Sequence, residues 1–139
     1  ISPPRLLSDI ASSAMLTGPD GLDLRPLTDD SSATAADLPP GTTIVIDPGH
    51  GVDVELLTLT SAPDGAAPAV WTLEADGGSG WTLVAESSST VFSRPRQTRA
   101  FGVTGDSVHA GRFRFTAVAG GHLSQLELLA RDRPEVSPA

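Results

Sequence analysis

The sequence predicts an all-β domain, a sandwich or a barrel, and three observations carry that expectation. Twelve Pro and fourteen Gly cut the 139 residues into short pieces. The pieces are rich in Val, Ile, Leu and Thr, residues that suit a pleated, half-buried surface. Several of them alternate apolar and polar side chains with a period of two, the signature of a strand with one buried face.

The elements follow in order. Leu6–Leu16 has Leu6, Ile10 and Ala14 on one helical face and is expected to form a short helix. It lies within an irregular N-terminal segment, 1–26, whose stretch Gly18–Pro26 is expected to be an exposed loop. Thr42–Asp47 and Val52–Ser61 read as strands, joined by an Asp-Pro-Gly turn in which Pro presets φ and Gly takes positive φ. Ser61–Pro68 is expected to be an exposed loop. Trp71, Leu73 and Ala75 alternate with Thr72, Glu74 and Asp76. A Gly-rich turn, 77–80, leads to Trp81, Leu83 and Ala85, so the two segments read as a hairpin. Phe101 and Val103, then Phe113, Phe115 and Ala117, continue the pattern. Leu126, Leu128 and Ala130 form the inward side of the last strand. The polar tail 131–139 is expected to fray. The expected core holds Trp71, Trp81, Phe101, Phe113 and Phe115.

Length fits one domain over 1–139 with one core. The hydrophobic fraction is 39%. No apolar run approaches the roughly 18 residues of a spanning helix, so membrane insertion is not expected. No signal peptide is visible, and the first residue is Ile1, as expected of a processed product or of a piece cut from a longer chain. The formal charge is −8, and all nine basic residues are Arg. An acidic surface repels phosphate backbones, which argues against nucleic acid and anionic membranes as partners. The chain has no cysteine, which excludes disulfides, zinc thiolates and a Cys nucleophile.

One motif points to catalysis. Ile44–Gly51 reads IVIDPGHG, which matches the first zinc-ligand motif of the N-acetylmuramoyl-L-alanine amidases, and His109 lies in SVHAG, similar to their second. A zinc hydrolase needs three protein ligands, an open position for water and a general base. The candidates are His50, His109 and one of Glu55, Glu74 or Glu86. The stretch between the histidines, however, holds strands and Gly/Pro turns where those amidases have helices. The three histidines fall in three Gly-rich turns, His122 after Gly120 and Gly121, and no nucleophile elbow or phosphate loop occurs. The expectation is a chain that is not an enzyme.

From Leu27 onward the sequence resembles the galactose-binding-like β-sandwich family, which includes the discoidin, or coagulation factor type C, domains and many carbohydrate-binding modules. LTDDSSAT at Leu27–Thr34 resembles the family's Leu-x-Asp-Gly-Asp-Pro-Ser-Thr loop. TTIVIDPGHGVDVELLTLTSA and VWTLEADGGSGWTLVAES are similar to its following strands, and QTRAFGV, GRFRFTAV and LSQLELLA to its last three. The resemblance covers about four-fifths of the chain and implies an antiparallel jelly-roll of about eight strands.

It also implies a structural Ca²⁺ held by carboxylates of Asp29 and Glu127, the carbonyl of Ser31, and the carbonyl and hydroxyl of Thr34; hard cations take such oxygens. The family's loop Trp and its sugar-binding His would stand at Ala36 and Asp37, and its loop Arg has no counterpart in Ser61–Pro68, so its galactose site does not carry over. The function implied is a non-catalytic carbohydrate-binding module, extracellular or on the cell surface, accessory to a neighbouring catalytic domain. A structural or protein-interaction domain is the alternative. Arg94, Arg96 and Arg99 in SRPRQTR are the candidate glycan contacts, since guanidinium forks match hydroxyls and carboxylates.

Overall fold

The computed structural model describes residues 7–11, 15–20, 23–28, 34–64, 67–88, 92, 94–105 and 107–131. Two antiparallel sheets face each other. The first contains β1 (Leu7–Asp9), β3 (Ala36–Leu38), β5 (Val52–Ser61), β8 (Thr98–Gly102), β9 (Val108–Ala110) and β11 (Gly121–Arg131). Its centre is the long β5–β11 pair; β1 and β3 share the outer edge of β11, while β8 and β9 share that of β5. The second sheet runs β2 (Met15–Thr17), β4 (Thr42–Asp47), β10 (Arg112–Ala117), β6 (Trp71–Asp76), β7 (Trp81–Ser87). The fold is thus the β-sandwich the sequence predicts, drawn from eleven strand segments rather than about eight.

Alternation fills the space between the sheets. Ile44 and Ile46, Trp71 and Leu73, and Phe113 and Phe115 come from the second sheet; Leu57, Leu59, Leu126 and Leu128 come from the first. Trp71 is the hub: its ring stacks on Phe115 at 5.9 Å and meets the half-buried Phe101 edge-on at 4.9 Å. Polar groups that enter the interior are paired, and every buried side-chain nitrogen or oxygen among the described residues has a hydrogen-bond partner. No helix among those residues is long and apolar enough to cross a membrane.

Three expectations fail for physical reasons. Leu6–Leu16 is not a helix in its described part: β1 pairs with β11 and β2 with β4. Between them Asp9 Oδ1 accepts the N–H of Ala11 and that of Leu128, so a side chain supplies a turn and tertiary pairing overrides helical spacing. Trp81 is not in the core. The β6–β7 register slips between Leu73 and Glu74, which pair with Ala85 and Leu83 and leave Val84 as the extra residue of a bulge. The bulge reverses the phase of β7: Val84 turns inward and Leu83 is 46% exposed. The Val84 carbonyl is taken up by the N–H and hydroxyl of Thr104. Third, Ser61–Pro68 is exposed only in part, because Ser61, Ala62 and Pro68 are buried.

Candidate functional site

Connections gather at the two ends of the sandwich. One end carries turn 39–41, the described parts of segments 62–70 and 88–97, and turn 118–120, as the pairings Leu38–Gly121, Ser61–Leu123, Thr42–Ala117 and Trp71–Ser87 require. Here His122 is not a turn residue: it is the second residue of β11, opposite Asp37 of β3. Its Nδ1 lies 2.6 Å from Asp64 Oδ2 and its Nε2 lies 3.2 Å from Asp37 Oδ1. A carboxylate only accepts, so the arrangement favours an imidazolium that donates from both nitrogens. The Asp64 hydrogen bond, with the charges of both carboxylates, raises the His122 pKa above its ordinary imidazole value, against the opposing effect of desolvation. One side chain thereby joins β3, β11 and segment 62–70.

Residues 94–97 are pinned beside it. Ser61 Oγ donates to the Arg94 carbonyl at 3.0 Å and accepts from the Gln97 N–H at 2.9 Å. The Arg96 N–H donates to the Ala62 carbonyl at 3.4 Å, and Arg96 has φ 56°, a left-handed conformation uncommon for a side-chain-bearing residue. Arg94 and Arg96 are exposed and make no ion pair among the described residues. The third predicted contact stands apart: Arg99 is on β8 with its guanidinium 5.4 Å from the centroid of Phe101. Asp37 and Asp64, which sequence reasoning did not select, are the half-exposed to exposed carboxylates of this end. Their only sequence signal was the position of Asp37 where the family places a His.

Of the residues implied for Ca²⁺, Asp29 and Ser31 lie outside the described residues. Thr34 is exposed just before β3. Glu127 is in mid-β11, where its Oε1 accepts the Thr58 hydroxyl at 2.8 Å across the β5–β11 pair.

At the opposite end, the Asp47–Val52 turn, the Asp76–Trp81 turn and the β9–β10 junction enclose an open cleft of about 690 Å³. His50 and His109 both line it, although the turns of a sandwich need not bring them to one end. His109 is on β9, not in a turn, and its Nδ1 lies 2.7 Å from Asp53 Oδ1. The glutamates do not join them: Glu74 is bound to Arg114 on the outer face of the second sheet, Glu86 is exposed on β7 and Glu55 lies in β5. Among the described residues no three of His, Asp and Glu come together in a group able to hold a metal ion.

No protein-family model matches the chain, and no curated protein matches it in sequence. Solved structures match its fold. The chain superposes on SpGH29 with a TM-score of 0.71 and 16% identity over 91% of its own residues, which is 28% of that longer chain. It superposes on the family 32 CBM of C. perfringens NanJ, solved in complex with galactose, with a TM-score of 0.69 and 15% identity, covering 91% of this chain and 99% of that module. Chitosan-binding module 1 from a chitosanase/glucanase of Paenibacillus sp. IK-5 gives 0.67 and 18% identity over 87% and 98% of the two chains.

Proposed function

We propose that the chain is a non-catalytic glycan-binding module that acts outside the cytoplasm beside a catalytic domain. The observation that carries this reading is whole-length agreement with solved carbohydrate-binding modules, two of whose names place them in complex with galactose or within a chitosanase/glucanase. Agreement with little more than a quarter of SpGH29 supports the accessory role. Fold alone is a weak warrant for function, so the site must carry the rest.

The His122 end supplies the chemistry a sugar needs. Asp37 and Asp64 accept hydroxyl protons. Arg94 and Arg96 offer forked donors with no protein partner among the described residues, suited to hydroxyls or to a sugar carboxylate. The half-buried Phe92 packs against the core, so hydrogen bonds rather than ring stacking dominate recognition. Affinity electrophoresis against a polysaccharide panel tests the reading. At least one polysaccharide is expected to retard the folded protein, and retardation is expected to weaken in Arg94→Ala/Arg96→Ala. A folded protein that no member of the panel retards would instead support a structural or protein-interaction role.

A further inference from the structure

The cleft at the other end has a composition of its own. Gly49, Gly51, Gly77, Gly78 and Gly111 leave its floor bare of side chains, and its volume falls within the ~300–1,000 Å³ of ordinary small-molecule sites. Polar groups converge on it from three connections. Asp47 Oδ1 accepts the Gly49 N–H, but Asp47 Oδ2 has no partner among the described residues. Asp76 accepts the N–H of Gly78, which with Arg112 holds its carboxyl below the usual range and therefore ionised.

His109 is held in one tautomer. Asp53 is a carboxylate and only accepts, so the proton sits on Nδ1 and leaves Nε2 as an unpartnered acceptor in the neutral imidazole. Gly51 makes room for that nitrogen, since a Cβ there would stand 2.7 Å from it. His50 is exposed, with no partner among the described residues.

Charge and hydrogen-bond capacity point the same way. Arg112 is the one permanent cation among the lining residues, and Asp76 already pairs with it. Asp47 remains uncompensated, with Asp53 behind His109. A sugar carboxylate or a phosphate would meet net negative charge. A protonated amine flanked by hydroxyls would meet the vacant acceptors Asp47 Oδ2 and His109 Nε2.

We infer that this cleft is a second saccharide site, separate from the His122 end, and that it takes an amine-bearing sugar unit. Two sites at opposite ends would let one module bridge two chains or raise avidity for one matrix.

NMR titration of the whole chain with a glucosamine oligosaccharide, at a pH where the amine is charged, tests this. The His50 and His109 imidazole signals are expected to shift and saturate. The N-acetylated oligosaccharide, with the same backbone but an acetyl group in place of the ammonium charge, is expected to bind roughly tenfold more weakly, as loss of a charged hydrogen bond implies. Asp47→Asn keeps an oxygen for the Gly49 N–H and is expected to lose a similar factor while remaining folded. Shifts confined to the His122 imidazole would overturn the cleft site and leave the glycan-binding proposal standing. Equal affinity for the two oligosaccharides, or an undiminished Asp47→Asn, would overturn the inference directly.

Discussion

The guanidinium of Arg114 lies 4.4 Å from the ring centroid of Trp81, on the outside of the second sheet. Arg112 approaches the same ring at 5.3 Å, and the two cations are tied to Asp76 and Glu74 on the neighbouring strand. Trp71, ten residues earlier, is wholly buried. The two tryptophans therefore contribute to stability by different physics. Trp71→Ala empties the centre of the core and is expected to cost about 3–5 kcal/mol. Trp81→Ala forfeits mainly cation–π contacts and is expected to cost about 1 kcal/mol. Urea unfolding of the two variants checks the difference; equal losses would contradict the outward placement of Trp81.

Gly120 and Gly51 look alike in the sequence and differ in what surrounds them. A Cβ on Gly120 would stand 2.7 Å from Pro40 Cδ and 3.0 Å from its backbone nitrogen, neither of which can turn away. A Cβ on Gly51 would meet only the His109 ring, whose side chain is 65% exposed and can swing outward. Gly120→Ala is expected to destabilise by about 1–3 kcal/mol, the usual cost of overpacking, and Gly51→Ala by less. Thermal melts of both variants provide the comparison.

The sandwich was legible because its central strands obey a simple rule. Thr42–Asp47, Trp71–Asp76 and Phe113–Ala117 alternate without interruption, and all three lie where the alternation puts them. What escaped was whatever depends on partners distant in the chain. The β7 bulge is stabilised by Thr104, twenty residues on, and nothing within Trp81–Ala85 announces it. β1 and β2 exist because β11 and β4 have free edges to pair. Of the site, Arg94 and Arg96 were readable as a cluster. The His122–Asp37–Asp64 group was not, since it joins residues 58 and 85 positions apart.

His122 makes its end of the sandwich sensitive to pH. Its folded pKa is raised by Asp64 first and by Asp37, while in the unfolded chain it has the ordinary imidazole value. The stability it contributes is then fully present below the unfolded pKa and is lost as pH rises through the raised folded value. The stability gap between the parent and His122→Gln is expected to be largest below the ordinary imidazole range and to close as pH rises through the raised folded value. NMR titration of the imidazole Cε1–H should show a midpoint above that of a free histidine; a midpoint at or below it would contradict the pairing.

Ser61 is expected to matter beyond its size. It is fully buried, and its hydroxyl serves both the Arg94 carbonyl and the Gln97 N–H. Ser61→Ala leaves both without that partner, at a cost of about 1–3 kcal/mol. Amide hydrogen exchange at Gln97 should accelerate in the variant, and unchanged protection there would show that the loop is held by other contacts.

We also propose the structural Ca²⁺ that the family resemblance implies. Glu127 Oε2 takes no hydrogen bond among the described residues, so one carboxylate oxygen is available to a cation. A ligand bound only by the folded state must stabilise it. If the ion binds, chelation by EDTA lowers Tm and added Ca²⁺ restores it; a Tm that EDTA leaves unchanged would contradict the site.

The central claim is that glycan is bound at the His122 end, through side chains that the fold brings together from β3, β11 and the two long loops. The most direct measurement is an NMR titration of labelled protein with oligosaccharide fragments of a polysaccharide that retards it in electrophoresis. Shifts are expected to concentrate at Asp37, Asp64, Arg94, Arg96 and His122 and to saturate together with one dissociation constant. Saturable binding that leaves all five unmoved would contradict it.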